Sequence, residues 1–280
     1  MADVVSLLST IFNEAVDEGL IGANPCRRLR LNAGEQAERP HASVAQIPVL
    51  TARASFMDGV MITTAAYTGM RWGELAGLQW ARTDLDTGFL VIDPKDGALH
   101  EVNGTLKLGP PKTKASARTV HLPPFLIALL GELHDSDPLA RFVFTAPEGG
   151  WHRRANFRRR VSLPAVAGDP QRDRKPIAPG MHFHDLRHMH KTWLIEDDVP
   201  EVLQCKRLGH RLHGVRGIYS HVTQPMTDAM LAGLQQRWEQ SGSAKPGDHY
   251  RVGSVVKISC SQNAPTTQKQ PVGDDHQQAV

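Results

Sequence analysis

The period of the hydrophobic pattern changes in mid-chain, and that change narrows the fold more than any other feature. From about Val49 to Leu78, and again over residues 124–134, apolar residues recur at helical spacing. Between them, residues 88–122 carry FLVID, HEVNGTLKL and RTVHL, strand-type runs separated by Asp-Gly, Gly-Pro and Lys-rich turns. The pattern predicts a mainly α chain with a small antiparallel β-sheet of about three strands, an α+β fold. With 40% hydrophobic residues in 280, the chain has ample apolar material for a core.

The organisation around that block follows from breakers and caps. Val4, Val5, Leu8, Ile11, Phe12, Ala15 and Val16 make an amphipathic helix, stopped by Gly19 and Gly22 and closed by Asn24-Pro25. One such helix cannot bury its own stripe. Residues 33–46 are polar and predict a linker. Within 47–238, the helical stretch breaks at Thr68-Gly69 and resumes as RWGELAGLQW. FVFT (142–145) predicts a short extended piece. A helix spans about Arg154 to Val161, and residues 168–181 predict loop. Asp185 is the expected N-cap of a helix whose Leu186, Met189, Trp193 and Leu194 share one face. Asp198 and Pro200 open the next helix, Gly209 ends it, and a last helix lies near 224–238. Residues 239–280, rich in Gly, Ser, Gln, Pro and Asp, predict a disordered tail.

Net charge is only +3 with a pI near 8.8, but the basic residues are clustered. Arg153, Arg154, Arg158, Arg159 and Arg160 surround Asn156 and Phe157, which points to phosphate-backbone contact with Phe157 as the core anchor. Cys26, Cys205 and Cys260 are far apart and give neither a disulfide framework nor a zinc spacing. The N-terminus lacks signal-peptide character, and no run reaches membrane-spanning length, so the expectation is a cytoplasmic, nucleoid-associated protein with no membrane partner.

HFHDLRHMHK (182–191) is the densest chemical segment. His184 and His188, four apart, could share a metal on one helical face, but there is no HExxH and no third ligand at a diagnostic spacing. Arg187 sits in the first helical turn, where the dipole disfavours a cation unless an anion is near. Three further segments bear on it. In YTGMRWGEL, Arg71 follows a glycine turn with Glu74 one turn on. In PPKTKASARTVHL, Lys112 and Lys114 lie in a turn before a strand. In LGHRLHGVRGIYSHV, His210 follows a helix-ending glycine and Tyr219 lies nine residues later. Arginines match phosphate bidentately and neutralise charge in a phosphoryl transition state. Tyr, a poor nucleophile at its free pKa of about 10, needs a held phosphate and a base. Lys can protonate a leaving oxygen.

In family order, TGMRWGELAGL, PKTKASARTV, HDLRH and LGH with IYSHV resemble the boxes of the tyrosine recombinases, the phage-type integrases, over roughly residues 45–238. The resemblance implies the tyrosine recombinase catalytic-domain fold and site-specific cutting and rejoining of DNA through a 3′-phosphotyrosyl link. It implies Tyr219 as nucleophile, Arg71 and Arg187 on the nonbridging oxygens, and His184 as base or proton relay. It gives His210 a bond to the phosphate and Lys112 the role of general acid, with Lys114 the competing candidate and otherwise a DNA contact. Glu74 is expected to orient its neighbours. His182, His188 and His190 match no family position. No cofactor and no metal are implied.

Such integrases carry an N-terminal core-binding helical domain, and residues 1–32 resemble only its last helix. The expectation is a truncated chain, chemically competent but weak on DNA. The expected partners are double-stranded DNA at an attachment or recombination site, three further copies in a DNA-bound homotetramer, and a directionality factor. The alternatives are an inactive DNA-binding remnant, a metal-dependent phosphohydrolase on His184 and His188, and a type IB topoisomerase.

Overall fold

A computed structural model describes residues 2–29, 40–212, 221–242 and 246. The first helix, α1 (Ala2–Asp17), ends in a turn where the Asn24 amide reaches back to Ser9 O (2.9 Å) and Asn13 Oδ1 (2.7 Å). Its apolar Val4, Leu7, Leu8 and Ile11 are exposed. Half of the expected linker, and nearly all of the expected tail, lie outside the described residues.

The core is built around α3 (Phe56–Thr68), preceded by α2 (Gln46–Ala52). Val60, Met61, Ile62, Ala65 and Ala66 are all buried, so α3 has no wet face. Thr63, Thr64 and Thr68 can join them because each hydroxyl donates to the carbonyl four residues back. Gly69 stops the helix in the left-handed region (φ 65°), and a Cβ there would sit 2.7 Å from His190 Cδ2 and Leu208 Cδ2. The turn delivers Arg71 to the head of α4 (Trp72–Ala76).

The expected helix through Trp80 stops at Ala76. A Cβ on Gly73 or Gly77 would meet Leu99 backbone at 2.7 or 2.8 Å, so these glycines let a strand lie against the helix, and glycine is a poor helix former. That strand is one arm of a hairpin and not part of a single three-stranded sheet. HEVNGTLKL is a hairpin, β3 (Ala98–Val102) paired antiparallel with β4 (Thr105–Gly109). Asn103 (φ 49°) and Gly104 (φ 75°) supply the two positive φ values of a type I′ turn. FLVID and RTVHL do pair, as β2 (Phe89–Ile92) and β5 (Arg118–His121), in a separate three-stranded antiparallel sheet edged by β1 (Thr83–Asp84).

Helix α5 (Pro124–Ser136) follows. Val143 N–H then donates to Leu78 O (2.9 Å), the expected extended piece. The arginine block runs further than Val161: α6 (Arg154–Phe157), a π-helical turn (Arg158–Ser162) and α7 (Leu163–Ala167) are continuous. Pro164 has no N–H for the Arg160 carbonyl, and the wider turn accommodates its ring. Residues 168–181 are loop except for a short 3-10 turn at Pro170–Arg172, closed by an antiparallel bridge between Asp169 and Arg174.

Helix α8 (Asp185–Glu196) buries Leu186, Met189, Trp193 and Leu194 as expected. The cap position, however, is His184. Asp185 is the first helical residue, and its carboxylate accepts the His182 N–H at 2.7 Å. α9 (Glu201–Leu208) ends at Gly209 in the left-handed region. α10 (Gln224–Gln240) covers its own domain: Trp238 stacks on Phe125 (centroids 4.3 Å, 7°), Met230 and Leu234 are buried, and Arg237 is bonded to Asp197.

Candidate active site

Arg71 stands at the N-cap of α4. Its N–H donates to Glu74 Oε2 (2.9 Å), and its Nη1 donates to Glu74 Oε1 (3.0 Å) and Ser116 Oγ (2.8 Å). Glu74 is 2% exposed and is also gripped by Arg118, through Nη1 to Oε1 (3.2 Å) and Nη2 to Oε2 (3.1 Å). Burial works to raise the Glu74 carboxyl, but the two guanidinium groups outweigh it and hold it below the usual carboxylate value. Glu74 thus orients its neighbours, as expected.

Arg118 was not singled out in the sequence, nor was Arg207. Arg118 Nε donates to Arg207 O (2.7 Å). The buried Arg207 side chain donates to Tyr67 O (2.8 Å), His121 O (2.6 Å) and His190 Nε2 (3.2 Å). It therefore ties the end of α3 to β5, α8 and α9. His190, which matched no expected role, is completely buried at this junction, and burial first and then Arg207 push its pKa well below the ordinary value. Sequence spacing carries no signal for such a cluster: its members lie between 17 and 140 positions apart from their partners.

Arg187, buried on α8, donates to Gly69 O and Leu208 O, and its Nη2 meets His210 Nε2 at 2.9 Å. Because the guanidinium donates to Nε2, the neutral His210 ring carries its proton on Nδ1. Burial first, then Arg71 and Arg118, push Arg187 down to about 9, still charged at neutral pH. His210 is held below its ordinary value by burial and by Arg187 and Arg71. His184 is held down by burial, His188 and Arg187.

Arg71, Lys112, His184, Arg187 and His210 line one cleft of about 430 Å³, together with Thr113, His188, Lys191 and Leu208. Among these lining residues there is no carboxylate. Lys112 sits on the cleft wall, whereas Lys114 opens the short 3-10 turn behind it and is not in the lining. Tyr219 lies outside the described residues, nine positions beyond His210.

Of the arginine block, Arg154 and Arg158 line an adjoining recess that also contains Arg71, Lys112 and His184. Arg153 is paired with Glu101 at 2.5 Å and Arg160 with Glu148 at 3.7 Å; Arg159 is exposed. Phe157 is the core anchor, packed on Trp72 (5.0 Å) and Phe183 (5.5 Å). His184 and His188 pack edge to face at 5.1 Å. Among the described residues no group of three His, Cys, Asp or Glu is arranged to hold a metal.

The family model for the phage integrase family matches residues 42–226. The chain belongs to that family. Among its relatives, a tyrosine recombinase XerC-like protein of Caldanaerobacter subterraneus subsp. tengcongensis is 28% identical over 250 residues, covering 78% of this chain and 61% of that one. The ICEBs1 integrase of Bacillus subtilis is 27% identical over 225 residues, covering 74% and 57%. The chain therefore spans about three fifths of the length of such relatives. The Tn1549 transposon integrase, solved in complex with transposon right end DNA, shares the fold with a TM-score of 0.63 at 17% identity, over 82% of this chain and 78% of that one. The integrase fold, mainly helical with small antiparallel sheets, is thus this chain's fold.

Proposed function

We propose that this integrase-family chain cuts and rejoins DNA at a specific site through a covalent phosphotyrosyl intermediate. The observation that carries the reading is the cleft itself. Two arginines, two lysines and three histidines line it with no carboxylate among them, and burial and neighbouring cations lower the pKa of His184 and His210. Such a site is charged for an anion rather than for a metal, and guanidinium forks match phosphate oxygens.

In the reaction, the Tyr219 oxygen bonds to phosphorus as the bond from phosphorus to the 5′ oxygen breaks. His184, neutral because its pKa is lowered, takes the tyrosine proton. Lys112 gives a proton to the leaving 5′ oxygen. Arg71 and Arg187 hold the nonbridging oxygens, and His210 donates from Nδ1. The phosphodiester energy stays in the covalent link, so reversal rejoins the strand without ATP. Nine residues of chain reach up to about 30 Å, enough to bring Tyr219 from His210 into the cleft. Double-stranded DNA is the partner this reading requires, with four copies assembled for exchange between two duplexes and a directionality factor setting its sense. Arg154, Arg158 and Arg159 contribute phosphate contacts.

The test is a nicked suicide duplex, which loses the short 5′-hydroxyl fragment and traps the adduct. The full chain is expected to give a protein–DNA band resistant to denaturant, absent with Tyr219→Phe and unaffected by a chelator. Equal trapping by Tyr219→Phe would remove Tyr219 from the mechanism. A chelator-sensitive cleavage without adduct would favour metal-dependent hydrolysis.

A further inference from the structure

Beside the phosphate cleft lies a second cavity of about 550 Å³. The two share Arg71, Lys112 and His184, so they meet at one edge. Their walls differ. Arg187, Lys191 and His210 line only the first, whereas Trp72, Phe157, Phe183, Leu99 and Leu106 line only the second. The three aromatic rings form one mutually packed group, with Trp72–Phe183 at 5.2 Å and nearly perpendicular. Arg154 and Arg158 add positive charge to a lining that also holds two carboxylates, each already paired with arginine: Glu74 with Arg71 and Arg118, and Glu101 with Arg153.

A phosphate alone does not need such a room. An aromatic wall beside a phosphate site, with further cations in its lining, matches one nucleotide unit: phosphate at the shared edge, base against the partly buried Trp72 and Phe183, which the buried Phe157 backs, and next phosphate on the arginines. We propose that the recess receives the unstacked base of the nucleotide attached through its 5′ oxygen to the phosphate being cut. Lys112 decides the side. It borders both cavities, and it is the group assigned to the leaving 5′ oxygen. The inference therefore rests on the strand-cleavage reading above. Its consequence is mechanical: after cleavage the freed 5′-hydroxyl end stays anchored by its base while the strand is covalently held, which favours rejoining over loss of the end. Leu99 and Leu106 come from the β3–β4 hairpin, so the hairpin that packs on the α4 glycines also closes this recess.

Turning a base out of a duplex costs pairing and stacking, and the cost is least when the pair is already broken. The full chain is titrated with three duplexes differing only at that nucleotide: paired, mismatched, and abasic. The mismatched duplex is expected to bind about tenfold more tightly than the paired one. The abasic duplex is expected to lose that gain, because it has no base to fill the recess. Leu106→Trp, which fills the recess from the hairpin, is expected to weaken the mismatched duplex about tenfold relative to the abasic one. Equal affinity for paired and mismatched duplexes, or a mismatch gain that survives base removal and Leu106→Trp alike, overturns the inference. Those binding readouts stand without any chemistry. If no duplex yields a covalent adduct, the strand-cleavage reading fails separately.

Discussion

At the residue scale, Arg187 shows how a buried cation is kept available. Its guanidinium is anchored on Gly69 O, Leu208 O and His210 Nε2, which use donors facing inward and leave the rest for the cleft. A lysine keeps the charge but not the planar fork, and it leaves buried carbonyls unsatisfied. Arg187→Lys is therefore expected to slow adduct formation by about 10²- to 10³-fold, measured as the single-turnover rate on a suicide substrate. Two of the three cleft histidines set a pH limit. His184 and His210 have pKa values lowered by burial and neighbouring cations, so both are neutral above their ordinary value of about 6.5. The rate is expected to be independent of either ring near neutral pH and to fall as pH drops through the lowered values. A profile that rises on acidification would take the base role away from His184.

At the element scale, the site is assembled by a junction rather than by any one helix. Arg207 links the end of α3, β5 and α8 from its place on α9, and through its carbonyl it seats Arg118, which seats Glu74, which seats Arg71. Arg207→Leu leaves two carbonyls and a ring nitrogen buried without a donor. The expected loss is about 3 kcal/mol, or roughly 10 °C in the melting temperature of a domain this size. A melting temperature within about 2 °C of the parent would show the junction to be dispensable. Gly69 is a second sensitive point. Gly69→Ala combines φ 65° with contacts at 2.7 Å to His190 and Leu208, and about 1–3 kcal/mol of strain is expected, read as a lower melting temperature together with weaker DNA trapping. Some element boundaries were legible: Gly69 and Gly209 as stops, and the buried face of α8. The Asn103-Gly104 hairpin has its signal in plain view, yet the strand-type pattern of HEVNGTLKL runs straight through it. The early end of α4 had none, because it depends on Leu99 lying against Gly73 and Gly77.

At the scale of the whole molecule, charge and burial make opposite demands. Binding of a polyanion should follow the unpaired basic surface, so Arg154→Gln, Arg158→Gln and Arg159→Gln are each expected to lower the slope of log K against log salt by about 1. Arg153 and Arg160, already facing Glu101 and Glu148, are expected to change it less. Burial acts on stability. His121, His152 and His190 all have pKa values lowered mainly by desolvation. Below about 6.5 the unfolded chain binds protons that the folded chain refuses, so their contribution is intact above that pH and is lost as pH falls toward the folded values. The melting temperature is expected to drop between pH 7 and pH 5, and the drop should shrink in His190→Asn if that variant still folds. An unchanged melting temperature across that window would contradict the burial of these rings.

The sequence by itself determined the class of fold, the family boxes and the candidates Arg71, His184, Arg187 and His210, because helix stops, turn residues and short motifs are local. Tertiary structure alone decided which cations face the cleft or the recess beside it and which hold these up. Lys112 rather than Lys114, Arg154 and Arg158 rather than Arg153 and Arg160, and the supporting roles of Arg118, Arg207 and His190 all depend on contacts between elements distant in the chain. An arginine reads the same in sequence whether its fork is turned to solvent or closed on buried carbonyls. Only packing assigns its partners.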